Sequence, residues 1–287
     1  MYQPLTEEPS DLAAFVLVAS RPAVFAAATT ATTSVSPVVR PFAADEDDHC
    51  ETPAAAYADV APALHALACQ AGKTATTLRI YDPYFCDGAV VRNLNKLGFT
   101  NVYNRCEDFY RAVSAGTTPA FDVLVTNPPY SGDHMEKLFH FATECGKPWL
   151  ILVPNYVATT AWYPAVVGER ALFVAPSKRY QYVSPTGARS GLVGGGCGSG
   201  GSKKAANTTA PYVTLWFIGA GSAGAATAAA ATGAILPALQ RRHRSRSEGQ
   251  GQAAGEHAAV VVSSCYAELP SAFKAVSERS PLKHRPL

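Results

Sequence analysis

Between residues 52 and 154 short apolar runs alternate with stretches of helical periodicity, and each run closes on a proline. The runs are TLRIYDP (77–83), FDVLVTNPP (121–129) and PWLILVP (148–154). Their apolar stretches lack the polar alternation of a half-solvated strand, which suits strands buried on both faces. Proline has no N–H for a ladder, so each run is expected to stop there. Around them, Tyr57, Val60, Leu64 and Leu67 recur at helical spacing, with Thr52 expected as N-cap and Pro53 at the first helical position. A second helix is expected from Gly88 through Leu97, ended by Gly98, a short strand over 101–104, and a third helix over 133–145. Strands and helices in that rhythm predict an α/β fold with a mostly parallel sheet.

Two later segments, 178–185 and 211–219, alternate in polarity and are expected to form an antiparallel hairpin added to the sheet. The Gly/Ser-rich stretch 187–208 between them reads as a flexible insertion. Residues 1–45, rich in alanine, threonine and turn formers, read as a disordered leader. Residues 220–287 read as a low-complexity linker and tail, so the expected domain is 46–219. Within 217–236 the chain is uncharged and long enough to span a bilayer. Its Ala, Gly, Ser and Thr content partitions poorly into lipid, so a linker is expected and no membrane segment.

Charged residues make up only 16% of the chain and the formal charge is +2, too small to demand a polyanionic partner. The seven cysteines are scattered without a C-x-x-C pair, which suits a reducing, intracellular compartment, cytoplasmic or nuclear, with an organelle also open. No spacing of His and Cys signals a metal site. Two basic features stand out: RRHRSR at 241–246, and Lys178, Arg179, Tyr180 and Tyr182, which interleave cations and aromatics as a nucleic-acid surface does. A solvated charge run and an ordinary strand edge are the alternatives.

The sharpest motif is Asn127-Pro128-Pro129-Tyr130, directly after the run 121–125. In open α/β sheets ligands bind outside the carboxyl ends of strands, where this loop is expected to lie. The residue types fit one chemistry. An amine conjugated to a ring or carbonyl is a poor nucleophile because its lone pair is delocalised. The Asn127 side-chain oxygen and the Pro128 carbonyl would accept its two N–H bonds and draw the nitrogen toward tetrahedral geometry. Prolines hold those acceptors in place beforehand. The Tyr130 ring would stack on a planar substrate, with its hydroxyl idle.

This loop resembles motif IV of class I S-adenosylmethionine-dependent amino-methyltransferases, which include adenine-N6 enzymes acting on DNA or RNA. Three further segments resemble that family in order. Thr52-Pro53 ahead of a helix resembles the Thr-Pro motif near the methionine carboxylate of the cofactor. Asp82-Pro83-Tyr84-Phe85-Cys86-Asp87-Gly88 resembles the first strand and loop, which wraps the methionine moiety. Glu107-Asp108-Phe109 resembles the acidic-aromatic element that grips ribose or adenine, with either acid open as the ribose ligand. The short interval from Asp108 to the run at 121 leaves no room for the family's usual third strand and helix. The resemblance therefore implies a Rossmann-like methyltransferase sheet lacking one edge strand, with S-adenosyl-L-methionine as cofactor.

The implied cofactor residues are Thr52, Asp82, Pro83, Gly88, Glu107, Asp108 and Phe109, and the implied catalytic residues Asn127, Pro128, Pro129 and Tyr130. The expected reaction is N-methylation of an exocyclic amino group, adenine N6 in RNA or DNA, with nucleic acid as partner. Protein-glutamine N-methylation and a catalytically inactive binding module are the alternatives. Oligomeric state leaves no mark on the sequence.

Overall fold

A computed structural model of the chain describes residues 42, 50–168, 171–176, 178–183, 207–209, 212–221, 231–240 and 260–274, all within the unit Val38–Leu287. The expected leader (apart from Phe42), most of the insertion 187–208 and the basic run 241–246 lie outside the described residues. The helices are α1 (Ala54–Gln70), α2 (Ala89–Asn95), α3 (Phe109–Ser114), α4 (His134–Glu144), α5 (Tyr163–Val166), α6 (231–240) and α7 (Ser271–Lys274). The strands are β1 (Ile80–Tyr81), β2 (Val102–Tyr103), β3 (Val123–Thr126), β4 (Trp149–Pro154), β5 (Ala171–Pro176), β6 (Gln181–Val183), β7 (Asn207–Thr209), β8 (Thr214–Gly219) and β9 (Val260–Ser263).

Seven strands form one sheet in the order β2-β1-β3-β4-β8-β5-β9. The pairs β2·β1, β1·β3 and β3·β4 are parallel, whereas β8 lies antiparallel to both β4 and β5, and β9 antiparallel to β5. Five strands therefore point one way and only β8 and β9 run against them. The α/β class and the parallel core match the expectation. The interval between β2 and β3 holds α3 and no strand, so β2 is an edge.

Both faces of the sheet are covered, and the strands show it with period two. Val123, Val125, Leu150, Leu152, Trp216 and Ile218 face a core shared with Leu64 of α1, Leu94 of α2 and Ile235 and Leu239 of α6. The residues between them, Leu124, Ile151, Val153, Leu215 and Phe217, face a second core with Leu138 and Phe139 of α4 and Tyr163 of α5. Trp216 is fully buried and its indole N–H donates to the Ala56 carbonyl at 3.0 Å, which docks α1 on the sheet. At the amino ends of β1 and β3, the Asp122 carboxylate receives the Lys73 ammonium at 2.5 Å and the Arg79 guanidinium at 2.8 Å. Burial alone would push that carboxyl up, but the bonds from Arg79 and Lys73 outweigh it and hold it well below its ordinary value.

Four expectations are corrected. Segment 211–219 does not pair with 178–185: β8 inserts between β4 and β5, while β6 pairs with β7 in a separate ribbon. The run ALFVAP forms β5, a strand beyond the expected ones, although it is an apolar run closed by a proline like that of β4. The stretch 220–287 is more than linker and tail. It supplies α6, with Ala231, Ile235 and Leu239 buried, and β9, which closes the far edge of the sheet. Among the described residues no helix is long and apolar enough to cross a membrane, and of the uncharged run 217–236 the start belongs to β8, the end to α6, and 222–230 lies outside the described residues. The Thr52 cap is not formed either: Pro53 occupies the N-cap of α1, no side chain caps it, and Thr52 is buried.

Candidate functional site

From β1 the chain crosses to β2 on one side and then returns to β3 on the other, so the sheet changes direction of growth at β1 and β3. A switch of this kind splays the following loops and opens a crevice at the carboxyl ends. A cavity of about 520 Å³ lies there. It is lined by Thr52, Asp82, Pro83, Gly88, Glu107, Asp108 and Phe109, which the sequence singled out for one ligand, and by Asn127 and Pro129 of the second motif. Pro128 is buried and Tyr130 half-buried, and neither belongs to the lining.

The floor is set by local chain chemistry. Asp82 follows β1, is only 5% exposed, and accepts at Oδ1 from the Thr126 hydroxyl at 2.6 Å and from the Tyr84 backbone N–H at 3.1 Å. Burial pushes its pKa up to about 7 against the lowering effect of those two bonds. The loop then climbs to Gly88, whose φ of +71° is the left-handed conformation that begins α2. Glu51 stitches this loop down, its Oε1 accepting from the backbone N–H groups of Asp87 at 2.7 Å and Ala89 at 3.3 Å. Burial raises its pKa too, with those bonds opposing.

On the β2 side the two candidate acids divide their duties. Asp108 is the N-cap of α3 and accepts from the Arg111 backbone N–H at 3.1 Å. Glu107 is exposed, and its carboxylate accepts from the Tyr103 hydroxyl at 3.0 and 2.9 Å. Glu107 is thus the acid not committed to holding the backbone. Asn104 donates its amide N–H groups to the carbonyls of Asp82 at 3.1 Å and Tyr84 at 3.4 Å, while its Oδ1 is buried without a partner. A buried acceptor left over in a cavity wall is matched by a ligand N–H or O–H donor.

One wall is aromatic. Phe109 meets Tyr84 and Phe141 edge-on, with centroids 5.5 and 5.1 Å away. The Tyr84 hydroxyl is 3.0 Å from the Tyr110 hydroxyl, which lies 2.5 Å from Nδ1 of His134 at the start of α4. Tyr84 lies within the loop 82–88 expected to line the pocket, whereas Glu51, Asn104, Tyr110 and His134 are lining residues that sequence reading missed. Glu51 adjoins Thr52, but Tyr110 and His134 carry no local signal and meet only because α3 and α4 pack side by side.

Charge sorts the ligands this cavity can take. Glu51, Asp82, Glu107 and Asp108 line it, and among the described residues no Lys or Arg does. Phosphate-bearing dinucleotides need the opposite balance. The arrangement suits a ligand with positive charge, an aromatic part and hydrogen-bond donors. Among the described residues no group of three His, Cys, Asp or Glu stands close enough to hold a metal ion.

The expected nucleic-acid surface at 178–182 is corrected in part. Lys178 and Arg179 are exposed, but Tyr180 and Tyr182 are buried, donating to Asp59 Oδ2 and Thr214 Oγ1, each at 2.8 Å. These tyrosines brace the β6 ribbon on the main fold and present no ring for stacking.

Comparison with protein-family models, with curated proteins and with solved structures gives no match for this chain.

Proposed function

We propose that this chain is a Rossmann-like methyltransferase that uses S-adenosyl-L-methionine to methylate an exocyclic amino group, with adenine N6 in RNA or DNA as the leading acceptor. The observation that carries the reading is convergence. Four segments far apart in sequence, chosen for their likeness to cofactor and catalytic motifs, share the lining of one carboxylate-rich cavity at the switch point of the sheet.

The donor set fits this cofactor on its own chemistry. S-adenosyl-L-methionine is cationic at sulfur and at its amino group, and Asp82 supplies a buried carboxylate for positive charge. Glu107 is the acid free to accept from ribose hydroxyls, Phe109 offers an apolar ring to adenine, and Asn104 Oδ1 awaits a donor. When bound, the cofactor supplies an electrophilic methyl group. The chain's own contribution is to hold the acceptor. Asn127 Oδ1 and the Pro128 carbonyl take the two N–H bonds of the amine, which frees its lone pair, and the paired prolines keep both oxygens from turning away. No strong base is required, because the amine becomes acidic only as the new C–N bond forms, and solvent can take the proton.

A second acceptor is favoured by one observation. The burial of Tyr180 and Tyr182 removes one of the two nucleic-acid signals in the sequence, and a protein glutamine side chain presents the same conjugated amino group. The test is calorimetry with S-adenosyl-L-methionine, followed by transfer of its labelled methyl group to RNA, DNA and protein fractions. The reading expects saturable binding and label in one fraction. No binding at millimolar cofactor by a folded sample defeats it.

A further inference from the structure

Tyr130 was expected to lay its ring on the substrate with the hydroxyl idle. Its hydroxyl instead donates to Asn127 Oδ1 at 2.7 Å and lies 3.4 Å from the Leu152 carbonyl on β4. The Leu152 contact ties the hydroxyl to the same strand that pairs with β3. The Asn127 amide belongs to the cavity lining and the Tyr130 ring does not.

These contacts bear on a weakness of asparagine as an acceptor. A primary amide is acceptor at one end and donor at the other, and rotation about its side-chain bonds exchanges or withdraws them. Only the oxygen end can receive an amine N–H. A carbonyl oxygen has two lone pairs, so one can be held by a fixed donor while the second serves the substrate. Tyr130 is built for the first duty. Burial pushes its phenol well above the ordinary value, which keeps it a proton donor at any working pH, and the Leu152 carbonyl on β4 stands 3.4 Å from the hydroxyl.

We infer that Tyr130 is a positioning residue whose hydroxyl locks the Asn127 carbonyl toward the reacting amine, and that it does not act as the stacking platform. The inference rests on the proposed amine-methylating function for the meaning of that orientation, but the locking itself is a property of this chain alone.

Side-chain ¹⁵N relaxation of the Asn127 amide, measured in the wild-type chain and in Tyr130→Phe, reads the lock directly. The wild-type amide should be as ordered as the backbone, and Tyr130→Phe should make it mobile. Methyl transfer by Tyr130→Phe should fall roughly tenfold to a hundredfold in kcat, as for other small misplacements of an aligned group. Acceptor KM and cofactor affinity should hold. Equal order in the two proteins overturns the inference, as does a Tyr130→Phe variant with kcat and acceptor KM both unchanged, which is the result expected if the ring stacks and the hydroxyl is idle. If Tyr130→Phe does not fold, the wild-type chain carries the test, and an Asn127 amide less ordered there than the backbone overturns the inference. A wild-type chain that binds no cofactor defeats the functional reading instead, and the relaxation comparison still decides the lock.

Discussion

Thr126 donates its hydroxyl to Asp82 Oδ1 at 2.6 Å and so ties the carboxyl end of β3 to that of β1, where the sheet switches direction. The same bond keeps the Asp82 carboxylate in a place where burial opposes its charge. The cavity floor is therefore a titratable group with an anchored geometry, and pH should act on both stability and binding.

Asp82 has its pKa raised from 3.8 to about 7 in the folded chain. Between those values the native state keeps a proton that the unfolded state has released, so unfolding free energy should decrease as pH rises through that window and level off above it. Thermal melts across the window should show this slope in wild type and lose it in Asp82→Asn. A cationic ligand needs the ionised carboxylate, so its affinity should weaken below about pH 7, by up to roughly tenfold per pH unit. A pH-independent affinity from calorimetry would take Asp82 out of the binding role.

Asn127→Ala removes one of the two acceptors aimed at the amine. Loss of such a preorganised hydrogen-bonding group costs about a hundredfold to a thousandfold in turnover. Cofactor affinity should change little, and the comparison of kcat with the calorimetric Kd separates the two effects.

At Gly88 an added Cβ would sit 3.7 Å from the Phe85 ring, an ordinary contact, so space is not the obstacle. The obstacle is the φ of +71°. Gly88→Ala should therefore cost about 1–2 kcal/mol through backbone strain and loosen the loop that Glu51 holds. Gly88→Asn should be milder, since asparagine tolerates this conformation. Chemical denaturation of the two variants should rank them in that order, and equal stability of Gly88→Ala and wild type would show the loop adjusting without cost.

Ile235 and Leu239 of α6 are buried against the same core as α1 and α2. Ile235→Ala and Leu239→Ala should each destabilise the chain by about 2–5 kcal/mol, as truncations in packed cores do. Urea unfolding that finds both within about 0.5 kcal/mol of wild type would mean that 231–240 is the surface linker its composition suggested.

Much of the first half of the fold was legible because its signals are local. Strand-length apolar runs stopped by proline, and helices begun or ended by glycine, are written in windows of a few residues. That is why β3, β4, α2 and α4 lie within a residue or two of where the sequence put them. The second half was misread for a related reason. The run ALFVAP carries the same local signal as WLILVP, but its place in the sheet comes from pairing with β8 and β9, which lie far along the chain. Alanine-rich 231–240 looks like filler until Ile235 and Leu239 find a core to enter.

The site divides in the same way. Sequence alone determined which residue types stand together on each loop: Asp82 with its glycine six residues on, Glu107 with Asp108 and Phe109, Asn127 with its two prolines. Spacing within a loop is covalent, so it survives whatever the rest of the chain does. Only the tertiary structure decided that these loops share one cavity, that Asp108 caps a helix while Glu107 faces the opening, and that the Tyr130 hydroxyl is spent on Asn127. Those outcomes depend on which strands pair, and pairing is chosen by burial summed over both faces of the sheet, a quantity that no single segment contains.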